Sequence, residues 1–192
     1  MSNEDRWRRQ SHQGGVLWFT GLPGSGKSTL AFELERRLFD ASLWAYAMDG
    51  DNLRYGLNSD LGFSPADRSE NIRRVGEVAA LYADAGLIAI TAFISPYRAD
   101  RQAARRAGGE RFHEVYLSAS VKVCEGRDPK GHYAKARAGE IPDFTGVSAP
   151  YETPENAELI IDTGALGVAD CLDILVGYVE STFRLDGDGP GN

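Results

Sequence analysis

Cysteines and long apolar runs are scarce in this sequence of 192 residues. The two cysteines, Cys124 and Cys171, are too few and too far apart for a disulfide framework or a zinc site, and we expect both to be buried packing residues. No apolar stretch approaches the roughly 20 residues that a membrane-spanning helix needs. The first residues are polar and lack the apolar centre of a signal peptide. We therefore expect a cytoplasmic protein with no membrane partner.

A surplus of basic residues is also missing. The formal net charge is −7, whereas nucleic-acid-binding domains usually carry a basic patch, so we expect no nucleic-acid partner. Arginine is nevertheless frequent in the middle of the chain, and its planar fork matches phosphate and sulfate oxygens two at a time. These arginines either hold a small polyanion or lie on solvated helix faces; they are Arg54, Arg68, Arg73, Arg74, Arg98 and Arg101.

Apolar runs typical of strands alternate along the chain with segments of helical periodicity. We predict strands over 15–20, 43–48, 87–93, 112–117 and 159–162, and helices over 28–39, 98–107 and 167–183. A further helix begins at Ser64-Pro65, with Asp67 completing a capping box, and ends at Gly86. The alternation predicts an α/β fold with a parallel sheet and helices on both faces. We expect one domain over 15–184, a polar segment over 1–14 and a disordered tail over 185–192.

A glycine-rich loop follows the first predicted strand and precedes a predicted helix. Its sequence matches the P-loop pattern G-x-x-x-x-G-K-S in the context that this pattern requires. The glycines let the backbone amides surround phosphate oxygens at a helix N-terminus. The lysine can reach the β- and γ-phosphates, and the serine can ligate Mg²⁺. The loop predicts ATP binding by Gly21, Leu22, Pro23, Gly24, Ser25, Gly26, Lys27, Ser28 and Thr29.

Two carboxylates, Asp49 and Asp51, follow the second predicted strand. Active sites in parallel sheets lie at the carboxyl ends of strands, so these side chains should lie near the P-loop. They can hold Mg²⁺ or take a proton from an attacking hydroxyl; the alternative is a simple Asp-Gly turn. A GTPase switch is disfavoured because the base-reading motif Asn-Lys-x-Asp does not occur in the sequence.

Four segments together resemble the adenylylsulfate kinase family. They are the P-loop, "DGDNLRYGLNSDLGFSPADRSENIRRVGEVA", "FISPYRADR" and "RDPKGHYAKARAGEIPDFTGVSAPYE". The resemblance covers about residues 15 to 165, with Tyr55 and Pro23 departing from the usual family residues. It implies a P-loop kinase that transfers the γ-phosphate of ATP to the 3′-hydroxyl of adenosine 5′-phosphosulfate, the second step of sulfate activation.

The resemblance also implies roles for the acceptor half of the site. Asp51 would organise Mg²⁺ and assist deprotonation of the 3′-hydroxyl, with Asp49 in support. Further residues would bind adenosine 5′-phosphosulfate: Arg54 and Arg68 its phosphosulfate, Asn71 its ribose region, and Phe63 and Phe144 its adenine. Stacking of a base on an aromatic face makes physical sense here. Phe63 could instead be a hydrophobic staple at the helix start, whereas Phe144 lies in a polar stretch without periodicity, which disfavours a core role.

Residues from the third loop and from a later charged stretch complete the expected site. Ile94 and Ser95 would face adenosine 5′-phosphosulfate; the family assigns a phosphoserine to the position of Ser95, a role that phosphoryl transfer in P-loop kinases does not require. Arg127 would pack on the ATP adenine. The stretch of about 127–151 would form a lid that excludes water, carrying Lys130, Lys135 and Arg137 toward the phosphates unless it is a solvated loop.

Two other kinds of protein share parts of this pattern. A gluconate- or shikimate-type P-loop kinase would leave Phe63 and Phe144 without a role. A silent nucleotide-bound module would be expected to have lost some of Lys27, Ser28, Asp51, Arg54 and Arg68, all of which are present. By family analogy we expect a homodimer, with any ATP sulfurylase on a separate chain.

Overall fold

The predicted alternation of strands and helices is present in the computed structural model, which describes residues 1–185. Five strands form one sheet in the order β2-β3-β1-β4-β5, and every pairing is parallel. The strands are β1 Gly15–Thr20, β2 Ala45–Asp49, β3 Ile88–Ala92, β4 Phe112–Ser118 and β5 Leu159–Asp162. The α/β fold expected from the sequence is confirmed.

Eight α-helices connect or flank these strands in the described part of the chain. They are α1 Asn3–Gln10, α2 Lys27–Asp40, α3 Gly50–Arg54, α4 Pro65–Asp84, α5 Arg98–Gly108, α6 Val121–Arg127, α7 His132–Arg137 and α8 Val168–Phe183. A 3-10 turn, Gly109–Arg111, leads into β4. Four of these helices were not predicted: α1, α3, α6 and α7, each of eight residues or fewer.

The sheet is buried on both faces. Leu17 and Phe19 of β1 pack with α2 and α8 on one side, whereas Val16 and Trp18 pack with α4 and α5 on the other. All six residues of β1 are buried because it is the central strand. A strand buried on both faces reads as a continuous apolar run, which is why β1 could be found from the sequence.

The polar segment at the start of the chain forms α1, which the sequence pattern did not indicate. Ser2 caps it in a reciprocal box with Asp5, and no residue of the helix is buried. Asn3 Nδ2 donates to the carboxylate of Asp84, at the end of α4, at 3.0 Å. Arg6 donates to the backbone carbonyl of Asp84 at 2.9 Å. The helix is therefore held by polar contacts with a distant residue, which leave no apolar periodicity to detect.

The predicted start of α4 is confirmed, but the capping box is not complete. The Ser64 hydroxyl oxygen accepts from the Asp67 backbone N–H at 3.2 Å. The Asp67 carboxylate accepts from the Ser64 hydroxyl at 2.7 Å, not from the Ser64 backbone as a full box requires. The shorter Asp side chain bonds to the nearer hydroxyl instead.

The stretch from α6 onward contains a small core that was not predicted. Cys124, Tyr133, Ala136 and Phe144 are buried together, and we call them the lid cluster. Their spacing follows neither helix nor strand periodicity across the whole stretch, so the sequence reads as polar. The interpretation of this stretch as polar, which disfavoured a core role for Phe144, is wrong.

Three smaller expectations can be compared with the structure. Cys124 and Cys171 are both free and buried, as expected. No helix within residues 1–185 has the length and apolar character needed to cross a membrane. The predicted disordered tail lies outside the described residues apart from its first residue, Leu185.

Candidate active site

The loops after β1, β2 and β3 meet at the carboxyl edge of the sheet. The Ser28 hydroxyl, behind the first loop, donates a hydrogen bond to the Asp49 carboxylate at the end of β2. The Thr20 hydroxyl, at the end of β1, donates to the Ile94 carbonyl in the third loop at 2.7 Å. Parallel strands place these loops on one edge, as the order of elements predicts.

The P-loop backbone requires glycine at two positions for reasons of space as well as conformation. Gly24 has φ +79°, and a Cβ there would lie 2.9 Å from the Cys124 carbonyl oxygen. A Cβ at Gly21 would lie 2.6 Å from the Leu117 carbonyl oxygen. Gly26, at φ +96°, is the N-cap of α2, so the loop ends with its amides at a helix N-terminus, where anions bind.

Lys27 is folded back into the loop. Its Nζ donates to the carbonyl oxygens of Gly21 at 2.9 Å and Leu22 at 2.7 Å, and to the Ser25 hydroxyl at 3.3 Å. Only 7% of the residue is exposed. Burial lowers the pKa of Lys27 to about 8, although the nearby Cys124 and Asp49 favour the charged form. An anion bound in the loop would place a negative charge beside Lys27 and favour its protonated form.

Nucleotide binding is therefore expected to take up a proton at mildly alkaline pH. At pH 8.5 about three quarters of Lys27 would be neutral in the ligand-free protein, and a phosphate beside it raises its pKa. Calorimetry with a non-hydrolysable ATP analogue in two buffers of different ionisation enthalpy should report an uptake of about 0.7 proton at pH 8.5. The affinity should fall as the pH rises through 8, because the proton must then be supplied from solution.

A Lys27→Arg variant is the control for this proton uptake, since arginine stays charged throughout this range. The uptake should vanish in the variant. An uptake that persists with Lys27→Arg, or an affinity of the wild type independent of pH between 7.5 and 9.5, would contradict the assignment.

Asp49 and Ser28 offer oxygen ligands at the position expected for a magnesium ion. Asp49 Oδ2 accepts from the Ser28 hydroxyl, and Asp49 Oδ1 accepts from the Asp51 backbone N–H at 2.9 Å. Mg²⁺ is usually held by one or two protein oxygens together with water and substrate phosphates. The pair fits that pattern. Within residues 1–185 no group of three His, Cys, Asp or Glu side chains forms a protein-only metal site.

Asp51 lies on the solvent side of the same turn and is paired with Lys130. Its Oδ2 accepts from the Lys130 ammonium group, and the side chain is 65% exposed. This carboxylate raises the pKa of Lys130. Sequence analysis gave Asp51 both a metal and a proton role. The structure places Asp49, and not Asp51, against the Ser28 hydroxyl, whereas Asp51 is bonded to Lys130.

Arg54, Phe63 and Arg68 form a second face next to these carboxylates. The Arg54 guanidinium lies 4.3 Å above the centroid of the Phe63 ring, which is 68% exposed. Arg68 donates to the carbonyls of Phe63 and Asp143, each at 2.9 Å. Burial, and then the charge of Arg68, lower the pKa of Arg54. Two adjacent guanidinium groups beside an exposed ring suit an anion that carries a base.

Asn71 is buried beside this face and is fixed by a residue that sequence analysis missed. Asn58 is fully buried, and its Nδ2 donates to Asn71 Oδ1 at 2.9 Å. Its backbone N–H also donates to the Leu53 carbonyl. Asn58 thus ties the loop between Arg54 and Phe63 to α4. The signal that could have found it is a lone Asn in the quoted family segment, "GLNSDLGF".

Phe144 is buried, contrary to expectation. Only 8% of the residue is exposed, and its ring meets the edge of Tyr133 at a centroid distance of 5.0 Å. Phe144 belongs to the lid cluster. The Tyr133 hydroxyl holds this cluster against the P-loop, because it donates to the Pro23 carbonyl at 2.9 Å. Phe63 and Phe144 therefore do not offer two equally open faces to an adenine.

Ser95 points into the protein. Its hydroxyl accepts from Trp18 Nε1 at 3.1 Å, and 2% of the residue is exposed. This placement gives no support to a phosphoserine role. Ile94 is half-buried and its carbonyl is bonded by Thr20. The two residues form a fixed wall at the rim.

Arg127 links the P-loop to the residue that follows β5. Its guanidinium donates to the Thr163 carbonyl after β5 and to the Gly24 carbonyl, the latter at 3.4 Å. The residue is otherwise exposed, and a guanidinium group can stack on a planar ligand.

Several predicted cations lie away from the loop. Arg137 is exposed and paired with Glu125, and Lys135 is exposed. Within residues 1–185 no hydrogen bond or ion pair joins either of them to the P-loop. Arg73 and Arg74 are paired with Glu70, and Arg74 also with Asp60, which makes them part of a solvated helix face. Of the three expected lid cations, only Lys130 is at the rim.

The P-loop between a parallel strand and a helix, with carboxylates at the next strand end, defines a P-loop kinase fold. The family model described as adenylylsulphate kinase matches residues 13–162. The chain belongs to this family. An adenylyl-sulfate kinase of Staphylococcus carnosus is 54% identical over 182 residues, covering 94% of this chain and 91% of the relative.

Solved structures give the same result. The Mycobacterium tuberculosis APS kinase CysC in complex with AMPPNP and APS is 46% identical, with a TM-score of 0.84, over 88% of this chain and 98% of that chain. A hexameric APS kinase from Thiobacillus denitrificans is 34% identical, with a TM-score of 0.68, over 91% of this chain and 31% of that chain.

Proposed function

We propose that this protein is an adenylylsulfate kinase that transfers the γ-phosphate of ATP to the 3′-hydroxyl of adenosine 5′-phosphosulfate. The observation that carries the proposal is a P-loop joined by one helix to a face suited to an adenine and an anion. α3 has five residues, about 7.5 Å of helix. Asp49 before it contacts Ser28, and Arg54 at its end covers the exposed Phe63 ring.

The donor half would work through position and charge. The P-loop amides and Lys27 hold the β- and γ-phosphates, and Arg127 packs on the adenine of ATP. Ser28 and Asp49 would hold Mg²⁺, which when bound neutralises charge on the transferring phosphoryl group. Phosphoryl transfer needs little covalent help from the protein, which is consistent with a buried Ser95 hydroxyl.

The acceptor half would orient the 3′-hydroxyl and remove its proton. Phe63 stacks on the adenine, with Phe144 available only if the lid cluster opens. The phosphosulfate and ribose are held by Arg54, Arg68 and Asn71. The Ile94–Ser95 wall limits the movement of these bound groups. When substrates bind, Lys130 leaves the Asp51 carboxylate and pairs with a phosphate or sulfate oxygen. Asp51 then accepts the hydroxyl proton.

We propose the segment 127–151 as a lid on a kinase domain that spans 15–184. Contacts at Pro23, Gly24 and Asp51 tie the segment to the site. Hydrogen exchange tests the lid: amides of 128–150 should gain protection with both nucleotides bound and little with one. Equal protection without ligand would contradict closure.

The activity itself is tested by incubating the protein with Mg²⁺, ATP and adenosine 5′-phosphosulfate. The expected products are ADP and 3′-phosphoadenylyl sulfate in equal amounts, separated by ion-exchange chromatography. Parallel reactions with gluconate and shikimate address the related kinases. ADP formed with those acceptors and none with adenosine 5′-phosphosulfate would overturn the proposal.

Replacement of each phenylalanine by alanine should separate binding from stability. Phe63→Ala should raise KM for adenosine 5′-phosphosulfate by about 5- to 160-fold, because a stacked base is worth about 1–3 kcal/mol. Its unfolding free energy should barely change, since the ring is 68% exposed. Phe144→Ala should lose about 3 kcal/mol of unfolding free energy as a buried ring.

Urea unfolding and steady-state kinetics on both variants provide the measurements. KM for ATP should stay within twofold in Phe63→Ala. Unchanged acceptor KM in Phe63→Ala, or a fully stable Phe144→Ala, would contradict the roles given to these rings.

We further propose that the protein is a cytoplasmic homodimer. The support is family resemblance; one solved relative, from Thiobacillus denitrificans, is described as hexameric. Light scattering at micromolar concentration should give twice the 20.9 kDa of one chain.

A further inference from the structure

Arg101 is a buried arginine that binds three separate parts of the chain. It is 3% exposed. Nε pairs with Glu114 of β4 at 2.5 Å, one terminal nitrogen donates to the Ser95 carbonyl at 2.7 Å, and the other donates to the Glu152 carbonyl at 2.7 Å. A buried guanidinium is costly unless its donors are satisfied, and here the planar fork reaches three acceptors at once.

The first of these parts is the loop Ile94–Pro96. Each of its three carbonyls is bonded by a different element: Ile94 by the Thr20 hydroxyl, Ser95 by Arg101 and Pro96 by the Glu152 backbone N–H at 2.9 Å. Ser95 has φ +40°, a conformation that costs energy in a residue other than glycine. Such a conformation persists only where the surroundings fix it, and Arg101 is a main part of those surroundings.

The second part is Tyr151–Glu152, where the proposed lid segment rejoins the body of the protein. The Tyr151 hydroxyl is bonded to Thr20 Oγ1 at 2.9 Å, and its ring stacks on Tyr116 at a centroid distance of 6.0 Å. The carbonyl of the next residue, Glu152, is held by Arg101. This end of the lid segment is therefore fixed to the same group as the Ile94–Pro96 loop.

The charge of Arg101 is balanced by Glu114, which is itself nearly buried, with 11% of its side chain exposed. Arg105 approaches Glu114 as well, at 3.7 Å. The group therefore acts on the site by fixing backbone positions and not by attracting an anion. A loss of the fork should disturb the acceptor half, which includes Ile94 and Ser95, more than the P-loop, because none of the Arg101 hydrogen bonds is to the P-loop.

We propose that Arg101 is a positioning residue for adenosine 5′-phosphosulfate: through Glu114 it locks the Ile94–Pro96 wall and the Tyr151–Glu152 end of the lid to the sheet. The inference rests on the proposed function. In this role the Arg101–Glu114 pair supports the affinity for the acceptor and fixes the Tyr151–Glu152 end of the lid. Arg101 itself makes no direct contact with the substrate.

Arg101→Lys tests this role because lysine keeps the charge opposite Glu114 but cannot reach all three acceptors. KM for adenosine 5′-phosphosulfate should rise about tenfold, as expected for the loss of charged hydrogen bonds, while KM for ATP stays within twofold. Amides of 94–98 and 151–153 should exchange faster by hydrogen-exchange mass spectrometry. Arg106→Lys is the matched control: it changes an exposed arginine of the same helix, α5, and should change neither quantity.

The double variant Arg101→Met/Glu114→Gln covers the case in which Arg101→Lys fails to fold, since it removes both buried charges together. It should show the same selective rise in acceptor KM. If the wild type phosphorylates adenosine 5′-phosphosulfate and the folded variant has an unchanged acceptor KM, or equal rises in both KM values, the positioning role is wrong. A wild type without this activity would instead overturn the proposed function.

Discussion

Lys27→Met is expected to lower kcat by about 10²–10³-fold, the usual effect of removing one preorganised donor from a developing negative charge. Methionine keeps the length and much of the volume of lysine but lacks the ammonium group. That group now bonds to two P-loop carbonyls and the Ser25 hydroxyl, so it is already placed within the loop that receives the phosphates. The measurement is kcat at saturating Mg-ATP and adenosine 5′-phosphosulfate.

The control is Lys122→Met, which removes an exposed lysine from α6 and should leave kcat unchanged. Thermal unfolding should show that Lys27→Met is folded; relief of the burial of an ammonium group offsets the lost bonds. A Lys27→Met enzyme that keeps a tenth or more of wild-type kcat would remove Lys27 from the chemistry.

Asp51→Asn and Asp49→Asn should fail in different ways. Asn is close in size to Asp but is neither a base nor a charged ligand. Asp51→Asn should lower kcat by about 10²–10⁴-fold, the range of general base catalysis, with KM for Mg-ATP within threefold. Asp49→Asn should mainly raise the Mg²⁺ concentration needed for half-maximal rate, because Asp49 contacts the Ser28 hydroxyl.

Mg²⁺ titrations of the rate in both variants separate the two roles. Asp60→Asn, which changes an exposed carboxylate paired with Arg74, is the control for the loss of one charge. If Asp51→Asn responds to added Mg²⁺ and Asp49→Asn does not, the roles are reversed. The result also decides between the single-carboxylate assignment made from the sequence and the division of labour that the hydrogen bonds favour.

Features set by neighbouring residues could be predicted from the sequence. The P-loop, the start of α4 and the buried strands each depend on a short pattern, such as glycine spacing, Ser64-Pro65 or a continuous apolar run. The family resemblance then added the acceptor, which no local pattern specifies.

Features set by distant residues could not be predicted. Phe144 is buried by Tyr133, whose position depends on Pro23, a residue 110 positions away. Lys130 and Asp51 are 79 residues apart, and α1 depends on Asp84. Polar composition alone made these segments look solvated, because a side chain's partner is fixed only once the sheet has brought the segments together.

The position of β1 at the centre of the sheet has a consequence for synthesis of the chain. Its partners are β3 and β4, and the register of β1 with β4 pairs Thr20 with Tyr116. At about 5–20 residues per second, a ribosome needs about 5–20 s after making β1 to complete β4. During that time a strand that is apolar except for Thr20 has no partner on one edge and is exposed to aggregation. We therefore expect the segment just before the phosphate loop to be the part of the nascent chain that most needs protection from aggregation.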